Sequence, residues 1–369
     1  MKKDIDIIIP VFKAHKTITK TLSSITMQNN VDKLKVTLVN DCCPEGDYQD
    51  IVKQFSNLVD IQELKLEKNS GPGVARQYGI DHTYCPYIVF ADADDTFLNS
   101  FALSQLYYAI EEVKENVIFS SFIEQNNEQV FIPHDNDYIW IFSKIYKRSF
   151  LKKHNIRFTT ERANEDSCFN KKINMWYLHI GKDIQYIDVY TYGWHITDQS
   201  ITRNNNAQYT YDQSICGFVN GMIECIEWAE KQKIKKEVII AEIRSVLIFL
   251  YTSFCDVGTN AKEYFQLQNW YYIQKFYHYC WKKYHLTYQS QEFIDTYEDA
   301  MKQITRREDF MPRNYMAQPP IVEFMKMLEA MPFDENQIYE IWKQIPDELK
   351  QNNIDCGVCG EDYYKDAEK

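Results

Sequence analysis

The sequence predicts an α/β fold, a mostly parallel sheet with helices on both faces, followed by a mostly helical second domain. Three observations predict it. Short, wholly apolar runs alternate with amphipathic stretches through the first third of the chain. Polar residues gather at the ends of those apolar runs. After about Asn204, long amphipathic segments take over. Strand and helix in strict alternation is the pattern of parallel strands joined by crossover helices.

The elements follow in order. Asp4 to Pro10 is an apolar run closed by a proline, as a strand buried on both faces requires. Lys16 to Gln28 places Ile18, Leu22 and Ile25 on one helical stripe. Lys35 to Asn40 is a second strand, Tyr48 to Phe55 a helix, and Val59 to Leu66 a third strand. Gly71-Pro72-Gly73 breaks the chain before a helix through Ala75, Arg76 and Ile80, and Tyr87 to Ala91 is a fourth strand. Val117 to Phe122 and Gln129 to Ile132 read as strands, while Trp140 to Lys153 mixes apolar and basic residues. Asn164 to Trp176 is a helix with acids in its first turn, and Ile184 to Trp194 is a strand ending at Trp194-His195. Helices are expected over Tyr211 to Lys231, Lys235 to Phe254, Glu263 to Tyr284, Gln291 to Arg306, Val322 to Ala330 and Glu335 to Trp342. The boundary gives two domains, 1–204 and 205–369.

Composition narrows the function. At 369 residues the chain exceeds what one core usually serves. A net charge of -12 argues against a general nucleic-acid coat, because phosphate binding is driven by Lys and Arg. The acidic balance suits a divalent cation. The most apolar helix, Val238 to Phe254, contains Glu242 and Arg244 and reads as buried, so no transmembrane segment is expected. The 10 Cys are unevenly spaced, and the chain opens without a signal peptide. Both fit a reducing, cytoplasmic setting, with peripheral membrane association open. Cys356 and Cys359 form a lone CxxC without evident partners.

In such sheets ligands bind beyond the carboxyl ends of the strands. Here those ends carry Pro10-Val11-Phe12, Asn40-Asp41 and Asp92-Ala93-Asp94-Asp95. Crowded carboxylates at a strand end repel one another unless a cation neutralises them, and oxygen ligands suit Mg2+ or Mn2+. An acidic turn capping a helix is the plainer reading of the same residues. Asn164-Glu165-Asp166 offers a carboxylate able to take a hydroxyl proton, or two acids favoured by a helix start. His195 is a metal ligand or a structural histidine.

The order of these segments resembles the family 2 glycosyltransferases, with their GT-A, Rossmann-like nucleotide-binding fold. Ile7-Ile8-Ile9-Pro10-Val11-Phe12 is similar to the family's opening strand and loop. Val39-Asn40-Asp41-Cys42 resembles Val-Asp-Asp-Gly/Ser. Asn69-Ser70-Gly71-Pro72-Gly73-Val74-Ala75-Arg76-Gln77-Tyr78-Gly79-Ile80 resembles Asn-x-Gly-x-x-x-Ala-Arg-Asn-x-Gly-Ile, and Asp92-Ala93-Asp94 the Asp-x-Asp region. Ser143 to Leu151, Ile156-Arg157-Phe158 and Asn164-Glu165-Asp166 resemble the stretch leading to the catalytic Glu-Asp, and His195 with Ser200-Ile201-Thr202 the closing segment. The resemblance runs from about residue 4 to 203. Asn40 stands where Asp is common, and His195 where Arg is often seen.

The resemblance implies a metal-dependent, inverting hexosyltransferase. Its donor would be a nucleotide-sugar, UDP by default. Its acceptor would be a hydroxyl of a glycan, a lipid-linked sugar or a cell-surface polymer. Pro10, Val11, Phe12 and Asp41 would hold the base, with Gly71 in the neighbouring loop. Arg76 would lie near the base or diphosphate. Asp92 and Ala93 would meet the ribose, and Asp94 and His195 the Mn2+ or Mg2+. Asp166 would be the general base, supported by Glu165. Two other readings stay open. One is the same chemistry on a DNA base or protein, suggested by the basic clusters Lys144 to Lys153 and Lys231 to Lys236, which otherwise read as solvated helix surface. The other is a silent nucleotide-sugar binding module. Aromatic residues between 264 and 284 would pack a helical core, or line an acceptor groove or homo-oligomer interface.

Overall fold

The computed structural model describes residues 3–126, 130–197, 207–257, 263–305, 320–355 and 362–367. It divides into two compact units, Met1–Asn204 and Asn205–Lys369.

In the first unit, strands β1 (Ile5–Val11), β2 (Leu34–Asn40), β3 (Asp60–Lys65) and β4 (Tyr87–Phe90) pair in parallel in the order β3-β2-β1-β4. Helices α1 (Ile18–Thr26), α2 (Gln49–Phe55) and α3 (Pro72–His82) make the crossovers. β1 and β2 are buried almost throughout because both their faces are covered, and Ile7, Ile8, Ile9, Val36 and Leu38 lose all solvent contact. One polar exception lies within β1. Asp6 is fully buried and accepts hydrogen bonds from Thr37 and Thr83, with the Lys35 ammonium 3.7 Å away.

Beyond β4 the parallel order gives way. β5 (Thr96–Phe97), α4 (Ala102–Val113), β6 (Val117–Gln125), β7 (Phe131–His134) and β8 (Lys144–Lys147) come next. Helices α5 (Arg148–Lys153) and α6 (Glu165–His179) and strand β9 (Gln185–Trp194) complete the unit. The sheet continues β4-β8-β6-β9-β5, and β7 pairs with β6. β8 runs antiparallel to both its neighbours, whereas β6 and β9 are parallel. β7 begins two residues after the expected Gln129, which lies outside the described residues.

The basic stretch from Lys144 is not solvated helix surface. Lys144 is fully buried in β8, its ammonium donating to the Trp140 and Phe142 carbonyls at 2.6 and 3.3 Å. Burial pushes its pKa down to about 8, against the pull of Asp137 and Asp166. Lys152 and Lys153 are exposed at the end of α5, and Lys231, Lys235 and Lys236 are exposed in the second unit.

The second unit is helical. It comprises α7 (Ala207–Lys231), α8 (Lys236–Val257), α9 (Glu263–Phe276), α10 (Gln291–Thr305), α11 (Ile321–Ala330), α12 (Gln337–Gln344) and α13 (Asp347–Asp355). α9 continues into a π-helical turn, Tyr277–Lys282. Tyr271, Tyr272, Phe276, Tyr277 and Trp281 are buried there, so the aromatic density of this region packs the helical core. Within α8, Lys236–Cys255 has the length and hydropathy of a membrane span, and 56% of its most apolar window is buried within the protein. The Cys356-Cys359 pair and Ser200 to Arg203 lie outside the described residues.

Candidate functional site

The carboxyl ends of β1, β2 and β4 lie side by side because the strands pair in register. Val11 is opposite Asn40 in the β1–β2 ladder, and Ile8 is opposite Phe90 in the β1–β4 ladder. Phe12 then leaves the sheet with its ring 37% exposed, while Val11 is buried and Pro10 half-buried. An exposed ring at a strand end is the surface a planar base could stack on.

Asp41, at the end of β2, is 4% exposed. Its two oxygens accept the backbone N–H groups of Ser70 and Gly71, at 2.6 and 2.8 Å. Burial raises its pKa, and those two hydrogen bonds and Arg162 oppose the rise. In this conformation the carboxylate holds the loop before α3. That loop turns at Gly71, whose φ of +90° suits glycine and whose added Cβ would lie 2.8 Å from Arg162 Cγ. Arg162 in turn donates to the side chain and carbonyl of Asn69, both at 2.6 Å.

Arg76 is turned into the protein in this conformation. It is 4% exposed, with Nη1 2.7 Å from Glu165 and Nη2 2.7 Å from Asp92. Burial pulls its pKa down, and Asp92, Glu165 and Asp166 more than offset this, so the guanidinium stays charged. Arg76 therefore ties the Asp-x-Asp turn after β4 to the start of α6. Glu165 is buried against it, and burial and Asp166 push its pKa up to about 7. Asp166 lies in the same dense surroundings but keeps part of its surface open. Burial pushes its pKa up to about 6, with Arg76 the main opposing charge. A half-open carboxyl with a pKa near neutrality is what a general base needs.

Asp92, Ala93 and Asp94 are half-buried, and Asp95 is fully buried. Asp94 accepts a hydrogen bond from Thr197 at 2.9 Å. The sequence places Asp95 in the acidic cluster without a role of its own, and it does not point to Tyr192. Asp95 accepts from the Tyr192 hydroxyl at 2.9 Å and from the His195 backbone N–H at 2.8 Å. The same hydroxyl accepts the Asp92 N–H at 2.9 Å. Tyr192 thus pins the acidic turn to β9. Its one sequence signal is its place three residues before His195, too weak to single out among 27 Tyr. Burial, then Asp94 and Asp92, raise the Asp95 pKa well above the carboxylate range.

Asp92 and Asp94 supply hard oxygen donors near the surface, a chemistry that fits Mg2+ or Mn2+. His195 is held away from that role in this conformation. Its Nε2 is 2.7 Å from the Thr96 hydroxyl and its Nδ1 3.3 Å from Gln125 Oε1. Burial, then Lys20, lowers its pKa and favours the neutral ring. The group of three ligand atoms that the described residues bring together is His15, Cys43 and Glu45.

A parallel sheet thus ends in an acidic turn that an arginine joins to a helix-start acid pair. Residues 6–165 match the model of the Glycosyl transferase family 2. Over 182 residues it is 28% identical to the poly(ribitol-phosphate) beta-N-acetylglucosaminyltransferase TarS of Staphylococcus aureus, covering 45% of this chain and 31% of that protein. It is 25% identical to the glycosyltransferase GlyA of Streptococcus pneumoniae, covering 54% of this chain and 31% of that protein. The chain thus spans about a third of the length of these relatives. The crystal structure of S. aureus TarS 1–349 in complex with UDP-GlcNAc has a similar fold, with a TM-score of 0.60 at 20% identity over 81% of this chain and 92% of that one.

Proposed function

We propose that this chain is a metal-dependent, inverting glycosyltransferase that moves a hexose or N-acetylhexosamine from a UDP-sugar to a hydroxyl on a glycan or cell-surface polymer. The observation that carries the proposal is the Asp92–Arg76–Glu165 bridge beside Asp166. It couples the turn that would hold the donor diphosphate to the carboxyl that would take the acceptor proton. The TarS relative, named for N-acetylglucosamine transfer to poly(ribitol-phosphate), makes UDP-N-acetylglucosamine and polyol-phosphate polymers the first donor and acceptor to try.

A bound Mn2+ or Mg2+ would neutralise charge on the departing diphosphate. The rest falls to the chain's own residues. Phe12 offers a ring to the base. Asp94 would hold the ion and Asp92 would meet the ribose of the donor. Asp166 takes the acceptor hydroxyl's proton as its oxygen attacks the anomeric carbon from the face opposite the leaving group. That single displacement inverts the configuration. Burial pushes the Asp166 pKa up to about 6, and the Arg76 charge limits the rise.

Thermal stability with Mn2+ across UDP-, GDP-, CDP- and TDP-sugars, repeated with Asp94→Ala, tests the reading. A metal-dependent rise with a UDP-sugar that Asp94→Ala abolishes is expected. No rise with any donor would overturn it.

A further inference from the structure

The loops after β1 and β2 bring His15, Cys43 and Glu45 together, their ligand atoms all within 4.8 Å of one another. This group stands apart from the acidic turn after β4. Cys43 is buried, while Glu45 is exposed and His15 half-buried, so one side is closed by protein and the other reaches solvent.

The hydrogen bonding orients the ring. His15 Nε2 lies 2.9 Å from the Asp47 carbonyl oxygen, which can only accept, so Nε2 donates to it. Nδ1 then faces Glu45 Oε2, 3.2 Å away, and a proton or a cation can be shared between them. The ring is also stacked on Tyr48, with centroids 4.0 Å apart, which fixes its direction. A ring nitrogen donating to a backbone carbonyl, with the other nitrogen turned to a ligand, is the usual arrangement of a metal-bound histidine.

The third donor selects the metal. Cys43 Sγ accepts the Lys13 N–H at 3.2 Å and the Tyr48 O–H at 3.8 Å. The Tyr48 oxygen is in turn held by the Ala14 N–H at 3.0 Å. Two donors are thus aimed at one sulfur. A sulfur, an imidazole and a carboxylate suit Zn2+, whereas Mg2+ prefers oxygen alone. Zinc bond lengths place tetrahedral donors roughly 3.4–3.6 Å apart. The observed 3.2 Å between nitrogen and oxygen is close to that, and the sulfur needs a short inward shift.

We propose that His15 Nδ1, Cys43 Sγ and Glu45 Oε2 form a second metal site, for a thiolate-preferring divalent cation such as Zn2+, with a water as fourth ligand. On binding, the Cys43 thiol releases its proton to solvent. The ion would tie together the two loops that carry Phe12 and Asp41.

Co2+ titration of the reduced full chain, in a Cys356→Ser, Cys359→Ser background, tests this. One equivalent of Co2+ is expected to give a thiolate-to-cobalt charge-transfer band and the visible bands of a four-coordinate site, both bleached by Zn2+. Cys43→Ser should abolish the charge-transfer band. Glu45→Gln, an exposed change that leaves folding intact, should weaken Co2+ binding by about tenfold or more. Asp94→Ala should leave the bands unchanged, because an oxygen-only site gives no thiolate band. No thiolate band, or one that survives Cys43→Ser, would overturn the proposal, and the first result would mean a protonated His15 paired with Glu45. The readout needs no donor, so its failure is distinct from failure of the nucleotide-sugar reading.

Discussion

Arg76 meets Glu165 at 2.7 Å across 89 residues of sequence, and its other nitrogen meets Asp92 at the same distance. One guanidinium thus holds the acid pair that opens α6 against the turn that closes β4. Arg76→Met should lower the unfolding free energy by about 3 kcal/mol, the low end for breaking a buried pair, because Glu165 can take up a proton. Arg76→Lys should not rescue it, since a single ammonium does not span two carboxylates as the planar fork does. Urea unfolding of the three proteins checks both statements. Stability equal to wild type in Arg76→Met would mean that the bridge contributes nothing net.

Asp166 has a pKa pushed up to about 6 by burial. A base must be deprotonated to accept a proton, so kcat/KM should rise with pH through about 6 and flatten above it. Asp166→Asn should remove both the limb and nearly all turnover while leaving donor binding in place. A pH profile flat between 5 and 7 in the wild type would contradict the assignment.

Asp95 is the buried acceptor for Tyr192 and His195. Asp95→Ala would leave a buried O–H and a buried N–H unpaired, at a cost of about 1–3 kcal/mol for each group. Asp95→Asn should cost less, because burial and the Asp94 and Asp92 charges already disfavour a charge at this position. The order wild type, Asn, Ala in thermal midpoint is the expected result, and Asn below Ala would refute it.

Gly79 faces β1 so closely that an added Cβ would lie 2.5 Å from Ile8 Cγ2. Ile8 is fully buried in the central strand and has no room to move. Gly79→Ala should destabilise by about 1–3 kcal/mol through overpacking. Gly46→Ala, where nothing lies within 4 Å but φ is +112°, gives the contrast of backbone strain without a clash. Differential scanning calorimetry of both variants separates the two costs.

The parallel half of the sheet was legible because its strands announce themselves. Burial on both faces leaves β4 and most of β1 as continuous apolar runs, and β2 rich in Leu and Val. β8 was not legible. Lys144 and Lys147 frame a four-residue strand whose buried lysine looks, in sequence, like surface charge. Only the carbonyls of Trp140 and Phe142, and Asp137 beside them, make its burial tolerable. The site divides in the same way. Asp92, Asp94, Glu165 and Asp166 stood out by position at a strand end and a helix start, whereas Asp95, Tyr192 and Arg162 act through partners about 100 residues away or nearly so.

The sequence by itself determined the alternation of strand and helix, the placing of acids at strand ends and the change of character near Asn204. These are local properties, set by side-chain periodicity and by residues that end an element. Tertiary structure alone decided that Arg76 faces two carboxylates, that Asp41 holds the loop before α3, that His195 is turned to Thr96 and Gln125, and that His15, Cys43 and Glu45 meet. Each of these depends on which direction a side chain takes once distant segments pack. Spacing along the chain carries no record of that direction, because the contact is made across the sheet rather than along it.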